Sequence, residues 1–178
     1  MALVLDGNGD ITGLVAGALP SNVIGAGAVL QVVQVAKTDT FSSSSSSYTD
    51  ITGLSVSITP TSSSSKILVM YHLMVGPSNN AFPMVRLVRT STAIAVGDAS
   101  GSRTQVTSVS YAVNSSGNIM DMQSMNFLDS PATTLSTTYK LQILSNNGTH
   151  FINRSVRDDN ADYEPRGISS ITVMEIAA

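Results

Sequence analysis

Cysteine and tryptophan are absent, histidine occurs only twice, and Asp, Glu, Lys and Arg together make up 12% of the chain. Without cysteine there is no thiol nucleophile, iron–sulfur cluster or cysteine-based zinc site. A 178-residue chain buries roughly 70% of its unfolded surface and so needs no disulfide to hold a core. Nine Lys plus Arg stand against twelve acids, with no basic block, so the electrostatic footprint of a nucleic-acid binder is missing. No apolar run approaches the ~18 residues of a membrane helix, and the opening Met1 to Asp6 lacks the positive region of a signal peptide. The expectation is a soluble protein with a retained N terminus and no membrane insertion. Catalytic sets are equally thin. There is no nucleophile elbow, and His72 and His150 fall short of the ligand count of a transition-metal site. Each reads as a structural histidine within a strand, and the chain reads as a non-enzyme.

What is present is hydroxyl. Serine (28) and threonine (17) supply a quarter of the chain. These residues compete for backbone hydrogen bonds in helices, whereas Thr, Val, Ile and Tyr suit a pleated surface. Residues 1–28 carry repeated Gly and Ala with no lasting periodicity, the texture of an extended arm ordered on a partner, or of a flexible tail. The boundary at Val29 divides the chain into an arm, 1–28, and a body, 29–178.

In the body, short apolar or alternating runs are separated by Ser, Asn, Gly and Pro. Strands are expected near Val29 to Lys37, Thr49 to Thr59, Lys66 to Val75, Met84 to Val96, Thr104 to Val113, Asn118 to Leu128, Thr138 to Ser145, Thr149 to Val156 and Ile168 to Ile176. That spacing predicts an all-β antiparallel sandwich. Leu54, Val56 and Ile58 alternate with Ser55, Ser57 and Thr59, one buried face and one wet. Lys66 to Val75 and Asn118 to Leu128 differ, being apolar on both faces. A two-layer sandwich covers only one face of each sheet, so the second needs another cover: preferably sister copies of the chain, or else a long loop.

Asp158, Asn160, Asp162 and Glu164 present oxygens at every second position, a candidate calcium ladder. It lacks the EF-hand glycine and terminal glutamate, and such stretches also make turns without an ion. Asp6, Asn8 and Asp10 repeat the spacing. No cofactor is otherwise expected. The serine runs Ser42 to Ser47 and Ser62 to Ser65 read as solvated loops, and sequons at Asn114, Asn147 and Asn153 as chance in a Ser/Thr-rich chain.

The ending Arg166-Gly167-Ile168-Ser169-Ser170-Ile171-Thr172-Val173-Met174-Glu175-Ile176 resembles the closing strand of tail-fibre and virion structural proteins of marine and cyanobacterial bacteriophages. The opening LDGNGDITGL and the stretch from Val29 to Gly76 are similar to the start and the first head strands of the same proteins. The resemblance implies a jelly-roll head like those of the complement globular head and tumour necrosis factor, usually trimeric. It further implies a place on the virion surface, at the tail or the capsid, with an N-terminal arm for attachment. Met70, His72, Met74, Met120 and Met122 then become interface candidates in a homotrimer. Leu3, Leu5, Ile11, Leu14, Leu19, Val23 and Ile24 become candidates for contact with other virion proteins. Such heads have an even strand count, which places a missed break within Met84 to Val96. If strands alternate in direction, 38–48 and 76–83 lie opposite the arm, making Asn79, Asn80 and Phe82 candidates for touching a host-surface glycan or protein. The alternative within this resemblance is a capsid decoration protein that reinforces the shell.

Overall fold

In the computed structural model the described residues are 4–5, 11–12, 25–111 and 117–178. They form strands and loops with no helix: β1 (Val4–Leu5), β2 (Ile11–Thr12), β3 (Val29–Lys37), β4 (Phe41–Ser43), β5 (Thr49–Ile58), β6 (Lys66–Gly76), β7 (Pro83–Arg89), β8 (Thr92–Ile94), β9 (Ser108–Val109), β10 (Asp121–Asp129), β11 (Thr137–Ser145), β12 (His150–Ile152) and β13 (Ser169–Ile176). β1 and β2 pair only with each other. The rest build two antiparallel sheets. In one, the order across is β3-β13-β6-β10, with the short β12 and β4 continuing beyond the end of β13. In the other it is β5-β11-β7-β8, with β9 also on β7. Successive long strands alternate between the sheets, which is jelly-roll connectivity.

Alternation of side chains decides what lies between the layers. Ile67, Val69, Tyr71, Leu73 and Val75 of β6, with Ile171 and Val173 of β13, meet Leu54, Val56, Val85, Leu87, Tyr139, Leu141 and Ile143 of the opposite sheet, all buried. Truncating one of the leucines, such as Leu141, to alanine costs about 2–5 kcal/mol, transfer plus cavity. Polar bolts tie the two layers at each end of β10. Asp129 accepts from Arg89 Nη1 at 2.8 and 2.9 Å and from the Tyr139 hydroxyl at 2.7 Å. Burial, then the adjoining carboxylate, push the Tyr139 phenol far above its ordinary pKa. Gln123, also buried, donates to the Pro83 carbonyl at 3.0 Å and to Ser110 Oγ at 3.1 Å, and accepts from Ser108 Oγ at 2.6 Å.

Several expected strands are redrawn. Met84 to Val96 is broken into β7 and β8 by a tight turn in which Thr90 has φ 56°, so the missed break lies where the even count placed it. Of Thr104 to Val113, the described residues 104–111 form strand at Ser108–Val109, and Thr149 to Val156 shrinks to His150–Ile152. Past these short ladders single bonds remain: Thr107 N–H donates to the Val85 carbonyl at 2.8 Å and Asn153 N–H to the Met74 carbonyl at 2.9 Å, while Asn153 Nδ2 donates to the Lys37 and Asp39 carbonyls at 2.8 and 2.9 Å. The serine runs are more than solvated loops: Ser42 and Ser43 belong to β4, which pairs with β12, and Ser65 is buried. In β5 the register against β11 shifts around Gly53. With φ +85° and a Cβ position 3.4 Å from Lys37 Nζ, this bulge suits glycine, and Lys37 is buried beneath it with its ammonium 2.9 Å from Asp39.

Register also fixes direction. Lys37 pairs with Ser169, and His72 with Ser170, so β3 and β6 finish at the end where β13 begins. Loops 38–48 and 77–82 therefore share one end, joined there by 110–111, 117–120, 146–149 and 153–168. At the other end the chain enters and leaves together: Gly27 N–H donates to the Ala177 carbonyl at 2.8 Å, and Ala177 N–H to the Ala28 carbonyl at 2.9 Å.

Candidate functional site

The first candidate surface is the outer face of the β3-β13-β6-β10 sheet. Its rows follow from the register. Val32, Met174, Leu68 and Leu128 stand abreast across four strands, followed by Gln34, Thr172, Met70 and Asn126, then Ala36, Ser170, His72 and Ser124, then Met74 with Met122. None of these is Asp, Glu, Lys or Arg; Lys66, the next outward residue of β6, ends the face and donates to Ser130 Oγ at 2.8 Å. Val32 and Leu128 are each 54% exposed and Met122 62% exposed, far more than interior apolar side chains. Of the expected interface residues, Met70, His72, Met74 and Met122 share this face. Met120 sits just before β10, its Cε 3.5 Å from where a Cβ on Gly167 would project. The sequence reading missed Val32 and Met174, because β3 and β13 each alternate with Gln, Ser and Thr and so resemble ordinary one-sided strands.

The second candidate surface is the end carrying loop 77–82. Asn80 holds φ 53°, and Phe82 stacks on Tyr111, with ring centroids 4.4 Å apart and planes 15° from parallel. Phe82 N–H donates to Asn146 Oδ1 at 2.6 Å. Beneath the loop, His150 is fully buried, and its Nδ1 accepts from Ser78 N–H at 3.4 Å. Burial pushes the imidazole below its ordinary pKa, so the ring is held neutral with Nδ1 as acceptor. Thr149 N–H donates to Ser78 Oγ at 3.0 Å, tying loop 77–82 to the turn before β12. Asn79, Asn80 and Phe82 are thus brought to one end, while Tyr111 and Asn146 join them from elements where sequence showed only a strand and a turn.

The calcium ladder does not converge. Asp158 lies 2.7 Å from Arg166 Nε and 3.5 Å from Arg154 Nη1. Glu164 is buried, accepting from Ser155 Oγ with Arg157 Nε at 3.8 Å. Arginine guanidiniums face Asp158 and Glu164, and among the described residues no three His, Cys, Asp or Glu gather as metal ligands. The two histidines are far apart in role, His72 on the sheet face and His150 beneath the loop. Of the attachment candidates, Leu5 and Ile11 are register partners in the β1–β2 pair; Leu3, Leu14, Leu19, Val23 and Ile24 lie outside the described residues, as do Asp6, Asn8 and Asp10.

A buried carboxylate that sequence reasoning did not single out closes the entry end. Glu175 is wholly buried, accepting from Thr61 N–H and Oγ1 at 2.7 Å each and from Gln31 Nε2 at 2.6 Å. Burial alone would raise its pKa, but the hydrogen bonds from Gln31, Ser65 and Thr61 outweigh it and hold the group below the ordinary range.

No family model matches this chain, and no curated protein matches it. Among solved structures it is similar to infectious bursal disease virus, Gx strain, at 15% identity and a TM-score of 0.40, over 83% of this chain and 38% of that one. It is also similar to the VP2 subviral particle of the same virus, at 15% identity and a TM-score of 0.39, over the same shares. The chain thus spans little more than a third of the length of the structures it matches. Its fold assignment rests on the strand register.

Proposed function

We propose that this chain is a non-catalytic structural protein of a virus particle. In this reading it is a homotrimeric jelly-roll head, held to the particle by residues 1–28 and carrying its 77–82 end outward toward a host surface. The observation that carries the reading is the outer face of the β3-β13-β6-β10 sheet, where Val32, Leu128 and Met122 stand more than half exposed and Lys66, at the edge of the face, is the one charged side chain among the outward residues of these strands. Patches of this kind on soluble proteins mark interaction sites, and closed symmetry lets identical faces cover one another without leaving a sticky surface. Three as the copy number, and the virion as the setting, come from the resemblance of the chain's opening and ending to phage fibre heads.

Native mass spectrometry of the full chain at micromolar concentration tests this directly. Three chain masses are expected. A monomer would leave the sheet face uncovered and overturn the proposal. Counting copies per particle then separates the two placements: a few to a few tens for a tail or collar device, hundreds for capsid decoration.

A further inference from the structure

We infer that the 77–82 end is a binding site for a neutral saccharide, with the Phe82–Tyr111 pair as its stacking platform and the side-chain amides of Asn80 and Asn146 as its donors. This deepens the host-attachment reading above and rests on it.

The platform is built by the ladder. Ser145 pairs with Pro83, and Met84 with Val109. One step beyond the first pair and two beyond the second set Phe82 between Asn146 and Tyr111. Both rings keep solvent contact, Phe82 at 36% and Tyr111 at 46% exposure, although they stack on each other. The amides are oriented by what they bind inside the protein. Asn146 Oδ1 accepts from Phe82 N–H, and Asn80 Oδ1 accepts from the Tyr111 hydroxyl at 3.4 Å. With the carbonyl oxygens consumed, each Nδ2 has no protein partner among the described residues and is left as a donor at the rim. Gln123, buried beneath, fixes the Pro83 carbonyl and Ser110 Oγ at the roots of the platform, so ordering costs little on binding.

The chemistry of the rim selects the ligand. Residues 77–82, 108–111 and 146–149 contain no Asp, Glu, Lys or Arg, so nothing there rewards a charged polymer. A ring pair of this size matches the C–H face of one hexopyranose. Amide donors suit the acceptor oxygens of its hydroxyls, the pairing of an apolar platform with a few placed polar groups that small-ligand sites use.

The experiment uses the purified full chain, titrated with methyl hexopyranosides and neutral oligosaccharides by saturation-transfer NMR. In parallel, labelled protein is applied to host cells before and after periodate or protease treatment. Transfer to the sugar, and cell binding that periodate removes and protease does not, are expected. Tyr111→Ala should weaken binding about tenfold, the worth of one aromatic contact. Tyr163→Ala, at an exposed aromatic outside the platform, should keep it within about threefold. Cell binding abolished by protease and indifferent to periodate would overturn the saccharide assignment while leaving host attachment intact, as would affinity for acidic polysaccharides alone. No binding to cells in any form, with no transfer to sugars, would overturn both.

Discussion

The two outer faces of the sandwich are built from the same pleat and could hardly differ more. On the β5-β11-β7 face, Ser57 lies beside Thr138, Ser55 beside Lys140, and Asp50 beside Gln142 and then Arg86. Lys140 bridges to Asp50 at 2.7 Å, Arg86 Nε donates to Gln142 at 2.8 Å, and the same guanidinium lies 3.9 Å over the Tyr48 ring. Polar atoms there satisfy one another or water. On the β3-β13-β6-β10 face Gln34 donates to Thr172 at 2.8 Å, set between apolar rows, and Lys66 donates to Ser130 at 2.8 Å at the edge. The lesson is that a sheet face meant for water is recognisable by its internal charge pairing, whereas the opposite face has a charge only at its Lys66 edge.

The sharpest way to break this comparison is to write a charge into each face. Leu68→Asp should raise the dissociation constant of the assembly at least ~100-fold, since a buried unpaired carboxylate costs several kcal/mol. Ser55→Asp, on the polar face, should leave the native mass unchanged. Equal behaviour of the two variants would abolish the distinction. A middle-sized effect separates folding from association. Asp129→Asn cuts the bolt between the layers at Arg89 and Tyr139 and should lower unfolding stability by about 2–3 kcal/mol in urea titrations, while the outer face stays intact and still assembles. Smallest is Lys140→Met, expected within ~0.5 kcal/mol of the parent because the pair lies at the surface. Hydrogen bonds from Lys140, then Gln142, hold the Asp50 carboxyl below its ordinary value. That contribution is present at neutral pH and disappears as pH falls through the lowered value, so parent and variant should converge in strong acid.

How much of this was legible beforehand varies by element. The core strands were, because Leu54, Val56 and Ile58 alternate cleanly and Ile67 to Val75 cannot be anything but buried on one side. The apolar residues on both sides of β6 and β10 were legible, and the register supplied the neighbours that sequence could not: Val32 and Met174 become part of an apolar row only once β3 and β13 are laid beside β6. The tip was half legible. Asn79, Asn80 and Phe82 sit in one short loop, whereas Tyr111 and Asn146 are distant in sequence and meet Phe82 only through two ladders. The acidic run misled because alternating oxygens in sequence say nothing about the arginines at 154, 157 and 166 that fold back onto them. Buried Gln123, Asp129 and Glu175 were invisible for a similar reason, as polar residues in strands are read as solvent-facing unless their partners are known.

The hydrogen bonds joining residues 27 and 28 to 177 give the head one doorway. Residues 27 and 177 are neighbours there, whereas the connections 38–48, 77–82, 146–149 and 153–168 lie a full strand length away at the other pole. A recognition loop grafted at 77–82 or 146–149 therefore leaves that doorway as it is.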